Sequence, residues 1–261
     1  MNRIVTLLTD FGTRDAYVGI MKGIVLARCP EARLVDLTHD IPPQDVAAGS
    51  LVLASAVDFF PPGTIHLAII DPGVGTARLP AVVTAGAAAL VGPDNGLLVP
   101  AARRLGAAQA YRITDESLLR RPVSATFHGR DIFAPVAGAL AAGLAPETVG
   151  PRIAALVDPG LPEAVRSGGT IHGCVVYVDR FGNLVTNIEA AAIPEARRQG
   201  CFVRVAGRDV GPIRATYGSV PPGEPVAVVG SWARVEIAVA GGSAATRFGV
   251  GVGAVVAVEV A

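Results

Sequence analysis

The chain has 261 residues, 51% of them hydrophobic and only 17% charged, which is enough for one large core or two smaller ones and too apolar for a disordered polypeptide. Lys+Arg and Asp+Glu balance at 22 each, so the net charge carries no footprint for nucleic acid or an anionic membrane surface. Three dispersed cysteines, Cys29, Cys174 and Cys201, argue against a disulfide framework and against a cysteine metal site.

The opening MNRIVTLLTDFG has an apolar run that stops at Thr9-Asp10, too early for a signal-peptide core. No segment reaches the roughly 18 uncharged apolar residues of a membrane helix, and a cytoplasmic protein is expected. Residues 4–8 read as the first strand. Residues 16–29 carry Val18, Met21 and Val25 at helical spacing, with Pro30 as the stop. A second strand covers 34–37, and Asp45 is an N-cap for a helix running to Phe60, where Pro61-Pro62-Gly63 breaks it. Residues 65–70 are almost wholly apolar, as in a strand covered on both faces. Residues 81–84 and 89–91 read as further strands, 97–105 and 132–142 as helices.

This alternation predicts an α/β domain, a mostly parallel sheet flanked by helices. Ligands bind such sheets beyond the carboxyl ends of the strands, and polar residues collect there: Asp10, Asp36 to Asp40, Asp71 and Pro93-Asp94-Asn95-Gly96. From about residue 168 the pattern changes to short β-rich segments (173–178, 201–205, 226–229, 235–239 and 255–258), which favour a small C-terminal β-barrel. Ser167-Gly168-Gly169 reads as the linker, and the predicted domains are 1–166 and 170–261.

Two loops carry candidate chemistry. In Asp71-Pro72-Gly73-Val74-Gly75-Thr76-Ala77-Arg78 a carboxylate and a guanidinium flank two glycines. Glycine lets backbone approach a ligand closely, and the arginine would keep the aspartate ionised and aimed. The same string also suits a tight turn closed by a structural ion pair. His128 lies in Ser124-Ala125-Thr126-Phe127-His128-Gly129-Arg130-Asp131, before a helix that Asp131 is placed to cap. Asp10, Asp15, Asp36, His39, Asp40 and Asp71 offer oxygen and nitrogen donors for a divalent metal of the phosphoesterase kind, yet no HxH or HExxH spacing occurs. Neither GxxxxGK[ST] nor a GxGxxG after the first strand is present.

Thr9-Asp10-Phe11-Gly12, with Asp15, Tyr17-Val18-Gly19 and Lys22-Gly23, resembles the opening of the S-adenosyl-L-methionine (SAM) hydrolase (adenosine-forming) family. These proteins are also called SAM hydroxide adenosyltransferases and are relatives of the SAM-dependent fluorinase and chlorinase. Asp36-Leu37-Thr38-His39, Asp71-Pro72-Gly73-Val74-Gly75-Thr76, Gly92-Pro93-Asp94-Asn95-Gly96 and Phe127-His128-Gly129-Arg130-Asp131 are similar to its later blocks. Asp179-Arg180-Phe181-Gly182-Asn183, Thr186-Asn187 and Ser231-Trp232 fit its C-terminal part. The resemblance implies an α/β domain, a β-barrel domain and a homotrimer with sites between neighbouring subunits. It implies a catalytic set falling on Asp71, Arg78 and His128, with Asp10 on the ribose hydroxyls. Asp179 and Ser231 are expected on the amino-acid end of the substrate, and Phe181 and Asn183 in the nucleoside pocket. Phe11, Asp94, Asn95, Trp232 and Val239 complete the expected substrate contacts. Gly230, Ala233 and Ala240 depart from the Asn, Gly and Asn frequent in relatives, and Trp232 stands where halogenating relatives place an arginine.

The implied reaction is attack of water or hydroxide on the 5′ carbon of SAM, giving adenosine and L-methionine. A sulfonium leaves without an acid, so the protein must hold the nucleophile in line and exclude competing water. No metal and no cofactor are expected, SAM being the substrate. The halogenating relatives carry a tyrosine in place of Asp71; a carboxylate there repels a halide by about 4 kcal/mol at close range. A SAM- or adenosine-binding sensor with little turnover and a SAM-dependent halogenase are the alternatives.

Overall fold

The computed structural model describes residues 3–260, and the chain divides between Gly160 and Leu161 into two compact units. In the first, the strands are β1 (Ile4–Thr9), β2 (Arg33–Thr38), β3 (Ile65–Ile69), β4 (Pro80–Ala85), β5 (Ala88–Pro93), β6 (Ala108–Arg112) and β7 (Arg152–Ile153). They form one sheet in the order β2-β1-β3-β5-β4-β6-β7. From β2 to β5 the pairings are parallel; β4, β6 and β7 add an antiparallel half. All five residues of β3 are buried, which is why its sequence is apolar without alternation.

The helices are α1 (Tyr17–Arg28), α2 (Val46–Ala56), α3 (Val99–Leu105) and α4 (Ala134–Ala141). α1 and α4 pack together over one face of the sheet, where Met21, Val25, Phe133 and Val136 join Leu7, Leu67 and Ile69 in the core. α2 packs on α3, and Gly49 lies against Ile70 and Leu97. Asp45 caps α2 as expected, accepting from the Ala48 N–H at 2.9 Å. The α-helix ends at Ala56, however, and a 3-10 turn, Val57–Phe59, carries the chain toward Pro61.

Asp131 does not cap a helix: it is fully buried inside a π-helical turn, Gly129–Phe133, that precedes α4. A side chain that accepts from several donors at once is better satisfied there than at an exposed helix end.

The second unit contains β8 (Val165–Ser167), β9 (Thr170–Val178), β10 (Leu184–Glu189), β11 (Phe202–Val205), β12 (Arg208–Arg214), β13 (Pro225–Val229), β14 (Arg234–Val239), β15 (Val255–Glu259) and the short helix α5 (Ala244–Phe248). Because β10 pairs with both β14 and β9, seven of the strands close into a barrel, and β8 is added to β9 as an edge strand. Val175, Leu184, Ile188, Val203, Val235, Ile237 and Val256 fill it. Ser167-Gly168-Gly169 is not a linker but the turn of the β8–β9 hairpin: Ser167 pairs with Thr170, and Gly168 takes the left-handed conformation, φ +58°, that the turn requires. Among the described residues no helix is long and apolar enough to cross a membrane.

Candidate active site

Asp10 and Asp71 leave the sheet from neighbouring parallel strands, since Thr9 of β1 is paired with Ile69 of β3. The chain after Asp71 turns back on itself, with Val74 N–H on the Asp71 carbonyl (3.2 Å) and Thr76 N–H on that of Gly73 (3.1 Å). Gly75 permits this turn for two reasons. Its φ is +77°, and a Cβ there would stand 2.4 Å from the Ala125 carbonyl oxygen. The loop thus lies directly against the segment that carries His128.

The turn returns Arg78 onto Asp71. Nε donates to Oδ1 at 2.8 Å and Nη2 to Oδ2, a two-pronged charge-assisted pair with side chains only 9% and 6% exposed. Nη2 also donates to His128 Nδ1 at 2.7 Å, and the guanidinium stacks over the Phe133 ring, 5.1 Å from its centre. A guanidinium only donates. His128 Nδ1 is therefore the acceptor nitrogen, and the neutral ring carries its proton on Nε2. Burial and then the Arg78 charge push the His128 pKa below its ordinary value, against a smaller upward pull from Asp71 and Asp131.

Asp131 holds this histidine's loop in place, a role that its reading as a helix cap missed. Its carboxylate accepts from Ser124 N (2.8 Å), from Arg130 Nε and Nη2 (2.7 and 2.8 Å) and from Arg120 Nη1 (3.3 Å). Burial raises its pKa, but these bonds prevail and hold the carboxyl below the usual range. Gly129 is hemmed in as well: a Cβ would lie 3.0 Å from Met21 Sδ and 3.1 Å from Phe127 Cε2. The flanking arginines at 120 and 130 are the sequence signal for a buried carboxylate here.

Asp10 accepts the Gln44 N–H at 2.8 Å, with Gln44 in the left-handed region at φ +66°. Phe11 meets Tyr17 and Phe127 edge to face, at 5.9 and 6.0 Å between ring centres. Of the residues with metal-ligand chemistry, His39 is engaged by Thr9 Oγ1 (2.8 Å) and Asp36 (3.0 Å), and Lys22 donates to Asp36 at 2.6 Å. Among the described residues no three His, Cys, Asp or Glu side chains converge on one point. Asp94 is buried and accepts from Val157 N at 2.8 Å, burial pushing its pKa up. Asn95 donates to the Ile70 carbonyl at 2.9 Å, bracing the residue before Asp71.

The remaining candidates share one cleft in the second unit. Asp179, Phe181, Asn183, Ser231, Trp232 and Val239 line a cavity of roughly 720 Å³. Asp179 Oδ1 accepts from Phe181 N (2.9 Å) and Asn183 N (2.8 Å), while Oδ2 accepts from Asn183 Nδ2 (2.9 Å). Gly182 permits this compact turn, with φ +82° and Ser243 Oγ 2.1 Å from where a Cβ would be. Phe181 is 75% exposed, and Trp232 packs on Tyr177 at 5.1 Å between rings. Among the cleft residues that the sequence did not reveal are Tyr217 and Glu236, joined by a 2.7 Å hydrogen bond from the phenol. They are 19 positions apart and carry no local motif.

Residues 5–150 match the model of the SAM hydroxide adenosyltransferase N-terminal domain, and residues 173–257 that of the C-terminal domain. A protein of Thermus thermophilus named (R)-S-adenosyl-L-methionine hydrolase is 42% identical over 95% of this chain and 96% of its own. One of the same name from Salinispora tropica is 40% identical over 94% of each. Relatives named Fluorinase lie further off, that of an Actinoplanes species being 29% identical over 75% of this chain and 74% of its own. The crystal structure of an uncharacterized conserved protein from Thermotoga maritima superposes with a TM-score of 0.91 at 34% identity, covering 97% of this chain and 99% of that one. The chain therefore belongs to the SAM hydroxide adenosyltransferase family.

Proposed function

We propose that the protein is a hydrolase of (R)-S-adenosyl-L-methionine, releasing adenosine and L-methionine through attack of water on the 5′ carbon. The observation that carries this reading is the single guanidinium nitrogen of Arg78 shared between Asp71 and His128. The oxygen–C5′ bond forms as the C5′–sulfur bond breaks, and the electron pair stays on sulfur as the neutral thioether. One proton of the water must be taken up. His128 has Nδ1 occupied and Nε2 protonated, so it donates a hydrogen bond to the water and orients it. Asp71 keeps a second lone pair on each oxygen and is the acceptor. Arg78 fixes both. A carboxylate at this point disfavours halide, which supports water over chloride or fluoride as nucleophile.

In the same reading Asp10 and Phe11 hold the ribose side, with Asp94 and Asn95 beside them. Asp179 and Ser231 take the amino-acid end of the substrate. Phe181, Asn183, Trp232 and Val239 bound the nucleoside, as a homotrimer in the cytoplasm with no cofactor or metal. Turnover in 18O-labelled water tests the bond order directly. The label is expected in the 5′ hydroxyl of adenosine; adenosine without label, or a 5′-halogenated nucleoside in chloride, would overturn the proposal.

A further inference from the structure

The cleft of the second unit contains two carboxylates, Asp179 and Glu236, and among the described residues no lysine, arginine or histidine lines it. Glu236 is only 7% exposed and accepts from Tyr217 Oη, a neutral donor. Asp179 is held by three N–H groups of its own turn, so it cannot swing away from Glu236. Burial first, and then the Asp179 charge, push the Glu236 pKa up, and the Tyr217 hydrogen bond only partly offsets them. Tyr217, pushed up to about 12 by burial and by Glu236, stays a protonated donor and cannot serve as a counter-charge. Gly230 gives the second oxygen of Glu236 its room, since a Cβ there would stand 2.3 Å from Oε2. Two carboxylates in a cleft that Phe181 and Trp232 also line, with no basic residue in its lining, form an environment that is relieved by a cation.

We infer that Glu236 is a specificity-determining residue, which makes this cleft select its ligand by positive charge and leaves the ligand's carboxylate with a neutral partner, Ser231, in place of a charged one. The inference rests on the proposed SAM hydrolysis and widens the substrate class to adenosyl sulfonium compounds bearing an amino group, with or without a carboxylate. Decarboxylated SAM meets that description. Its hydrolysis follows the same balance: water adds to C5′, the C5′–sulfur bond breaks, and adenosine, 3-(methylsulfanyl)propylamine and a proton result.

Isothermal titration of the full chain with SAM and with decarboxylated SAM tests this, in the unmodified protein and in Glu236→Gln. Decarboxylated SAM is expected to bind no more than fivefold more weakly than SAM, and Glu236→Gln to weaken both ligands by fivefold or more. A larger loss with decarboxylated SAM would show that the carboxylate is recognised, and a smaller effect of Glu236→Gln would remove Glu236 from recognition; either result overturns the inference. The ligand comparison needs no variant, so it decides even if Glu236→Gln fails to fold. Because binding is read apart from turnover, this binding pattern without product would sink the hydrolysis reading and leave the cation preference standing.

Discussion

Replacing Arg78 with lysine keeps the positive charge and removes the fork. In the native site two nitrogens make three contacts, Nε and Nη2 with the two oxygens of Asp71 and Nη2 again with His128 Nδ1. One ammonium cannot span all three acceptors, so at least one bond to Asp71 or the bond to His128 is lost. Bonds to charged groups contribute about 1.5–3 kcal/mol each. With the two side chains 9% and 6% exposed, water compensates little. Losing one or two of them while keeping the charge should cost about 3 kcal/mol, or a fall of roughly 6–12 °C in the midpoint of the first unit. The larger effect is on geometry, because a displacement of about 1 Å at a reacting centre costs on the order of 10²-fold in rate. Calorimetry and chromatographic assay of adenosine from SAM measure both. Turnover within threefold of the unmodified protein, with an unchanged midpoint, would refute the bridging role.

Gly75→Ala forces a side chain into φ +77° and toward the Ala125 carbonyl; a loss of about 2 kcal/mol is expected in urea unfolding, with reduced turnover as the His128 segment shifts. Asp131→Ala leaves Arg130 and the Ser124 N–H without their partner, and a loss of about 3 kcal/mol is expected in the same assay, with adenosine formation falling as well. His66 is buried beneath Phe60 and holds its pKa near 4, against an ordinary 6.5, because burial disfavours its charged form. The folded state then binds fewer protons than the unfolded one between those values. Stability is full above pH 6.5 and declines by about 3 kcal/mol as the pH falls to 4. His66→Gln should flatten that slope in urea titrations at several pH values.

The parts of this molecule legible in its sequence are those set by local rules. The period of Val18, Met21 and Val25 places α1, the unbroken apolar run marks β3, and Asp45 caps α2. Asp71 and Arg78 are seven residues apart in a glycine turn, so their pairing follows from short-range geometry. What was not legible depends on distant partners. The antiparallel half of the sheet, β4 to β7, depends on pairing choices that alternation alone does not distinguish. Ser167-Gly168-Gly169 has a linker's composition, and only β9 across from it makes it a hairpin. Asp131 resembles any helix-start aspartate, and although Arg120 and Arg130 signal a carboxylate partner, its burial in a π-helical turn depends on the packing around it. Tyr217 and Glu236 meet only because the strand carrying Glu236 passes beside the Tyr217 turn.

The most direct measurement is adenosine and methionine production from SAM by the purified chain, compared with Asp71→Asn and His128→Ala under conditions where each still binds SAM. The account predicts stoichiometric adenosine and L-methionine from the unmodified protein and a loss of at least about 10²-fold in each variant, in line with removal of a general base or a positioning group. SAM binding with no product from the unmodified protein, or variants as active as it is, would contradict the account.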